Sequence, residues 1–269
     1  METARKITDD IDILPSYYPI PGFGILPVNA FLIKASQPVL VDSGLGLERD
    51  DFMTQLESVI DPADVRWLWL THPDSDHIGS LPEMLRRAPN LKVITTFLGL
   101  GIYSLRDEMP MDRIYFVNPG ESIDVGDRSL TAIKPPTFDN ASTTALYDNK
   151  SRVFFSSDCF GALMQEPAAY AGDIAPEALR QGQVAWTTAD SPWLHKVDAG
   201  KFAAELNTIR GMAPEIILSS HLPPAPSMND TLLEALVEAS TAQPFVGPNQ
   251  AQFEAMLAQM TGAAPAAVS

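Results

Sequence analysis

Runs of apolar residues alternate with segments of helical periodicity along the first half of the chain. Four apolar runs of strand length predict strands at 29–35, 37–44, 65–71 and 91–96. Apolar residues at helical spacing predict intervening helices at 45–60 and 78–88. Strands that alternate with helices in this order are typical of a mixed α/β layer structure, which is the fold class expected here.

The second half of the chain repeats the strand-rich pattern. Its predicted elements are two hairpins at 121–136 and 143–158, a helix at 201–212 and a strand at 215–221. The segment 161–192, to which no element is assigned, is rich in Pro, Gly and Ala. Because no long linker separates the halves, residues 1–269 are expected to form a single domain, in which 229–269 is a C-terminal helical extension with a frayed tail.

Composition and charge argue against several partners. Hydrophobic residues make up 45% and charged residues 19% of the chain, as in ordinary globular proteins. The formal net charge of −16 argues against binding to nucleic acid or to an anionic membrane, since phosphate binding needs clustered Lys and Arg. The N-terminal residues lack the apolar core of a signal peptide, and no run of about 18 apolar residues predicts a membrane span. A cytoplasmic protein is therefore expected.

The stretch LTHPDSDHIGS contains two of the four histidines of the chain together with two aspartates. Pro73 favours an extended backbone at His72, so the side chains of His72 and Asp74 are expected to point the same way. Asp76 and His77 lie at the start of the predicted helix. Their side chains are expected to point to a second position, next to the one that His72 and Asp74 face. A helix-capping role would explain Asp76 alone, whereas two adjacent metal positions explain all four residues.

Further candidate ligands follow apolar strands elsewhere in the chain. Asp158 follows RVFFSS, His221 follows EIILSS, and Asp139 lies in a loop before the second hairpin. Strand ends that meet at one edge of a sheet are a common place for a site in layered α/β folds. The recurrence of acids and histidines after separate apolar strands therefore predicts a metal site at this edge.

The segment THPDSDHIGS resembles the H-x-H-x-D-H signature of the metallo-β-lactamase superfamily, and VLVDSG around Asp42 is similar to its early strand-end aspartate. The resemblance continues through FFSSDCFG and ILSSHLPP and covers residues 28–225. It implies a four-layer αβ/βα sandwich with a dinuclear metal site at the edge of the sheets. It also implies that Asp42 orients a residue of the metal-binding loop rather than binding metal itself.

One departure from that signature resembles a branch of the superfamily, and a second departs from that branch as well. Asp74 stands where hydrolases of the superfamily usually have a second histidine, and a carboxylate there is similar to flavodiiron proteins and to stand-alone oxygen-binding di-iron proteins. Asp139, 19 residues before Asp158, stands where that branch usually has its third histidine. A capping role in its loop is the alternative for Asp139.

The resemblance implies two metal positions joined by a bridging carboxylate from Asp158. Site one would consist of His72, Asp74 and Asp139. Site two would consist of Asp76, His77 and His221. Asp76 and Asp158 are also expected to take part in catalysis. The expected cofactors are two divalent metal ions, and the oxygen-rich ligand set favours iron, with manganese or zinc as alternatives.

Three functions remain open from the sequence. The first is a stand-alone di-iron protein that binds or reduces dioxygen or nitric oxide, with a separate redox partner because no flavin domain is expected in this chain. The second is a hydrolase of an ester, thioester, lactone or phosphodiester that uses a metal-bridging hydroxide. The third is a non-catalytic sensor module. The expected partners also include a second copy of the chain.

His195 and Cys159 are two further residues whose chemistry could serve a site. His195 would either line a substrate pocket, with Trp186, Trp193 and Asp190 nearby in sequence, or be an ordinary surface or core residue. The single cysteine, Cys159, is expected to pack in the core rather than to bind metal, and it excludes an intramolecular disulfide.

Overall fold

Residues 1–261 are described by the computed structural model, and their strands form two sheets. The first sheet has seven strands side by side in chain order: β1 (Arg5–Lys6), β2 (Ile11–Ile20), β3 (Gly24–Ile33), β4 (Val39–Val41), β5 (Trp67–Trp69), β6 (Lys92–Thr95) and β7 (Ile114–Phe116). The second sheet has six strands, which also lie in chain order: β8 (Ser122–Asp124), β9 (Ser129–Ile133), β10 (Ala145–Asp148), β11 (Val153–Phe155), β12 (Ile216–Leu218) and β13 (Ala225–Pro226).

Six of the seven described helices pack on the outer faces of the two sheets. Three of them follow strands of the first sheet: α1 (Arg49–Glu57), α2 (Leu81–Arg87) and α3 (Phe97–Tyr103). Four follow in the second half: α4 (Pro176–Asp190), α5 (Ala199–Met212), α6 (Asn229–Thr241) and α7 (Gln250–Thr261). Short 3-10 turns occupy Gly46–Glu48, Pro62–Asp64, Met111–Arg113, Ala171–Asp173 and Leu194–Lys196.

The alternation of side chains along each strand separates three hydrophobic layers. In β4, Val39 and Val41 belong to the core between the two sheets, whereas Leu40 packs with buried residues of α1, α2 and α3. In β11, Phe155 belongs to the core between the sheets, and Phe154 packs with α4, α5 and α6. The layers therefore follow the order helix, sheet, sheet, helix. This arrangement confirms the four-layer αβ/βα sandwich expected from the sequence.

The strand directions bring several loops to one edge of the sandwich. β4, β5, β6 and β7 are mutually parallel, with helices between them, and β11 is parallel to β12. Ligand sites of layered α/β folds lie at the carboxyl ends of such strands. The loops that follow β4, β5, β11 and β12 contain all but one of the sequence-predicted ligands, and the other, Asp139, lies in the loop that precedes β10.

The two longest elements that were not among those predicted are a helix and a strand. Residues 161–192 contain the fifteen-residue helix α4, which begins at Pro176, because proline is favoured in the first turn where its missing N–H is not needed. The other is the strand β2, which contains Pro15 and Pro19. These prolines are tolerated because β1 pairs only as far as Ile13, so no neighbouring strand needs their N–H groups on that side.

The C-terminal region contains the two helices α6 and α7, and the frayed tail expected at its end lies outside the described residues. Within residues 1–261, none of the helices has the length and apolar character needed to cross a lipid bilayer.

Candidate metal centre

The loop that follows β5 is held by backbone hydrogen bonds to the turn after β4. The carbonyl of His77 accepts from the N–H of Ser43 at 2.8 Å and from its hydroxyl at 2.9 Å, and Gly79 N–H donates to the carbonyl of Gly44 at 2.8 Å. Helix α2 begins only at Leu81, so Asp76 does not cap it. The loop is therefore a fixed structure in its own right, and its acidic side chains are free for another role.

Gly79 gives a test of how tightly this loop is packed. A Cβ at this position would lie 2.2 Å from Gly46 N and 2.3 Å from Gly44 O, both backbone atoms that have little room to move. We expect Gly79→Ala to lower the free energy of unfolding by about 3 kcal/mol or more, the upper range for an overpacked site. Urea denaturation measures this change.

The matched control for Gly79 is Gly101→Ala in helix α3, where an added Cβ meets no atom within 4 Å. That substitution should raise the free energy of unfolding, by up to about 1 kcal/mol, because alanine favours the helix. Equal effects at the two positions would contradict the close packing of the loop.

The carboxylate of Asp158 lies between three histidine side chains. Its Oδ1 is 3.1 Å from Nε2 of His77 and 3.2 Å from Nε2 of His221, and its Oδ2 is 3.3 Å from Nε2 of His72. All four side chains are almost fully buried. Because its two oxygens face different histidines, Asp158 has the position required of a carboxylate that bridges two ions.

Asp76 completes one group of candidate ligands. Its Oδ2 is 3.6 Å from Nε2 of His77 and 3.4 Å from Nε2 of His221, and the ligand atoms of these three residues lie within 4.8 Å of one another. Asp76 also lines a cavity of about 650 Å³, whose walls include Tyr18 and Tyr103. This group corresponds to site two of the sequence prediction and is open to that cavity.

A second group surrounds His72. Nε2 of His72 is 4.0 Å from Oδ2 of Asp74 and 3.8 Å from Oδ1 of Asp139, and these ligand atoms also lie within 4.8 Å of one another. The loop of Asp139 is held by its neighbour, since Oδ1 of Asn140 accepts from the N–H and the hydroxyl of Ser142. The side chain of Asp139 is thus available to the group, which corresponds to the predicted site one.

In His221 and His77, the ring nitrogen Nδ1, which does not face Asp158, orients the imidazole. Nδ1 of His221 is 2.7 Å from the carbonyl of Pro27, which can only accept a hydrogen bond, so Nδ1 carries the proton and Nε2 offers a lone pair. Nδ1 of His77 is 2.8 Å from Oδ2 of Asp42, an arrangement that fixes the same tautomer. Asp42 therefore has the position expected for a residue that orients a ligand.

Three buried atoms of the cluster lie close to one another without forming a well-oriented hydrogen bond, and none has another partner among the described residues. They are Nε2 of His72, Nε2 of His77 and Oδ1 of Asp158. An unsatisfied buried polar atom costs about 1–3 kcal/mol in a typical protein, so such atoms are rare. Three that face one another, with carboxylates on both sides, fit a pair of metal cations. The donor set is imidazole and carboxylate without a thiolate, which suits iron and manganese as well as zinc.

The charges of the cluster also call for cations. Burial, together with the carboxylates of Asp158 and Asp74, raises the pKa of Asp139 to about 7. Burial alone would lower the pKa of His221, but the carboxylates of Asp158 and Asp76 raise it to about 9. Without metal, the acids are thus balanced by protons on the buried imidazoles, by protons on the carboxyl groups themselves and by the ammonium of Lys134 near Asp139.

The structure adds two residues to the surroundings of the cluster. Trp186 donates from Nε1 to the carbonyl of Asp158 at 3.1 Å, and its ring centroid is 4.7 Å from that of His221. Asp190 has a ligand atom within 4.8 Å of those of Asp139 and Asp158. Both residues lie on α4, in the segment where the sequence predicted no element, which is why Asp190 was noted only as a neighbour of His195.

Two other sequence candidates lie apart from the cluster. His195 is exposed and belongs to none of the groups of candidate ligands found within residues 1–261. Cys159 is 1% exposed and packs in the core between the second sheet and its helices. Burial raises the pKa of its thiol to about 12, so the thiolate is disfavoured.

The fold and the cluster can be compared with known proteins. The model of the family described as "ODP family beta lactamase" matches residues 26–221, most of the chain. The chain belongs to this family. The matched residues include all seven predicted ligands, the last of which is His221.

Curated relatives of this ODP family chain include flavoproteins. It is 33% identical to the type A flavoprotein fprA of Rhodobacter capsulatus over 137 residues. These residues cover 50% of this chain and 32% of that protein. It is 27% identical over 134 residues to the anaerobic nitric oxide reductase flavorubredoxin of Salmonella typhi, 49% of this chain and 28% of that protein. The matched part thus spans about a third of these relatives' length.

A solved structure gives the same fold. The rubredoxin oxygen:oxidoreductase of Desulfovibrio gigas superposes with a TM-score of 0.78 at 21% identity, over 90% of this chain and 63% of that protein. Together with the flavoprotein relatives, this match supports the flavodiiron branch of the metallo-β-lactamase fold.

Proposed function

We propose that the chain binds two iron ions in this cluster and that the resulting centre binds and reduces dioxygen or nitric oxide. The observation that carries the proposal is the convergence of three imidazole Nε2 atoms on the two oxygens of Asp158. Three further carboxylates surround this core, so four negative charges would balance two divalent ions. The proposed ligands are His72, Asp74, Asp76, His77, Asp139, Asp158 and His221.

The choice of reaction draws on the relatives. One is named as a nitric oxide reductase and another as an oxygen oxidoreductase. These names favour a redox function over the hydrolase and the non-catalytic sensor module. The ligand set agrees, since carboxylate-rich ligation suits iron, and iron is the ion that can supply electrons to a diatomic gas.

The surrounding residues have distinct roles in this proposal. Asp42 and the carbonyl of Pro27 keep the Nε2 lone pairs of two histidines directed at the centre. Trp186 covers His221 and fixes the backbone of Asp158, which excludes water from that side. Asp76, which lines the cavity of about 650 Å³, stands where a small ligand would arrive.

Electrons are proposed to come from a separate redox protein. One solved relative is named as a rubredoxin oxygen:oxidoreductase, which supports an electron donor outside the sandwich. A separate redox partner, a cytoplasmic location and a homodimeric assembly stay predictions.

Anaerobic loading with Fe²⁺ tests the proposal. We expect two iron ions per chain, and exposure of the reduced protein to dioxygen should produce a ligand-to-metal charge-transfer band in the visible spectrum. Nitric oxide should produce a separate absorption change. The control is protein loaded with Zn²⁺, which cannot change oxidation state and should stay colourless. An iron-loaded protein that is unchanged by both gases but hydrolyses chromogenic esters would contradict the proposal.

A further inference from the structure

Asp190 is an acidic residue beside site one to which the proposed function gives no role. It is the last residue of helix α4, a position where the exposed carbonyls of the helix make a negative charge unfavourable. Its ligand atom lies within 4.8 Å of those of Asp139 and Asp158. The charged groups that act most strongly on it are those two aspartates and His221, with no Lys or Arg among them. An ordinary structural role does not account for a carboxylate placed this way.

A buried imidazole nitrogen lies close to two of these three carboxylates. Nε2 of His72 has no hydrogen-bond partner among the described residues, and His72 is only 1% exposed. This atom is 3.8 Å from Oδ1 of Asp139 and 3.3 Å from Oδ2 of Asp158, two of the three carboxylates. A nitrogen ligand and several carboxylate oxygens directed at one space form a donor set for a divalent cation.

Asp139 links Asp190 to site one. Asp190 is grouped with Asp139, which belongs to the His72 group, and with Asp158, which faces both groups, and it is absent from the group of Asp76, His77 and His221. The hydroxyl of Ser191 donates to Oδ2 of Asp190 at 3.1 Å, which fixes the carboxylate at the end of the helix.

We propose that Asp190 is a fifth carboxylate ligand of the dinuclear centre and binds the ion of site one. This proposal rests on the proposed function, because it requires an ion at that site. Site one would then have one imidazole and four carboxylates, from Asp74, Asp139, Asp158 and Asp190. Site two would keep two imidazoles. The difference makes site one the harder site, and it should retain Mn²⁺ more readily than site two does.

Manganese titration of Asp190→Asn tests this assignment. Metal-free protein is titrated with Mn²⁺ while the signal of free Mn²⁺ is followed by electron paramagnetic resonance, and Fe²⁺ is titrated anaerobically in parallel. We expect one of the two ions to bind at least about tenfold more weakly in the variant, because removing a direct ligand should cost no less than removing a residue that orients one. The other ion should bind as in the wild type. Glu205→Gln, which neutralises an exposed acid on α5, is the matched control and should change neither affinity.

The unfolding temperature of the metal-free protein separates ligation from a structural role. Asp190→Asn removes a carboxylate that is repelled by its neighbours, so the metal-free variant should be at least as stable as the wild type, whereas its stabilisation by Mn²⁺ should be smaller. A metal-free variant that is clearly less stable would overturn the proposal. So would unchanged affinity for both ions, even with slower turnover. If the wild type itself binds no metal, the proposed function fails as well, and this result is distinct from the other two.

Discussion

Asp158→Asn is expected to reduce the iron bound after anaerobic loading from two ions per chain to one at most. The two oxygens of Asp158 face different imidazoles, with His77 and His221 on one side and His72 on the other. Asparagine has a single acceptor oxygen, and its amide group would direct N–H donors at an imidazole nitrogen or at an ion on the other side. It also removes one of the four charges proposed to balance two divalent ions.

In Asp158→Asn, the affinity for the second iron ion should be more than about 100-fold lower than in the wild type. This exceeds the loss seen when a residue that only orients a ligand is removed. Metal analysis after desalting gives the number of ions, and the charge-transfer band on exposure to dioxygen should disappear. Asp198→Asn is the control, since it removes the same charge at an exposed N-cap of α5, where asparagine caps as well as aspartate. A variant at position 158 that retains two ions with the affinity of the wild type would exclude a bridging role.

The sandwich and the seven grouped residues could be predicted because each depends on a local signal. Runs of apolar residues specify the strands, and His72, Asp158 and His221 each follow such a strand. Parallel strands deliver their carboxyl ends to one edge, so the order of the elements already brings these residues together. Asp74 and Asp139 could be assigned to the same ion only through the resemblance to known di-iron proteins.

The features that could not be predicted depend on contacts distant in sequence. The partner of His221 is the carbonyl of Pro27, and no pattern of residue types specifies a backbone acceptor 194 positions away. Strand β2 was missed because its prolines are tolerated only beside the short β1. Helix α4 was missed because its composition resembles a loop, and Asp190 was missed with it. The residues around the candidate ligands are thus harder to predict than the candidate ligands themselves, because tertiary packing places them.

Asp42→Asn is expected to weaken metal binding at site two while leaving the fold intact. Asp42 has a positive φ of 59°, which asparagine adopts more readily than most residues, so the turn after β4 should be retained. Oδ1 accepts from the N–H of Thr71 at 2.8 Å, and Oδ2 is 2.8 Å from Nδ1 of His77. The single oxygen of asparagine would accept from the N–H of Thr71, so the amide N–H would face the imidazole of His77. This favours the tautomer of His77 that carries the ring proton on Nε2. That nitrogen can then no longer bind metal.

The affinity of site two for Fe²⁺ should fall by about 10- to 100-fold, as is usual when the residue that orients a histidine ligand is lost. Anaerobic titration with a competing chelator measures this affinity, and thermal unfolding of the metal-free protein checks the fold. Asp12→Asn is a matched control, because Asp12 is also a buried aspartate but forms an ion pair with Lys34. That variant should lose stability and keep both metal affinities. If both variants lose stability and neither loses affinity, Asp42 supports only the loop, and the tautomer of His77 is set by the metal itself.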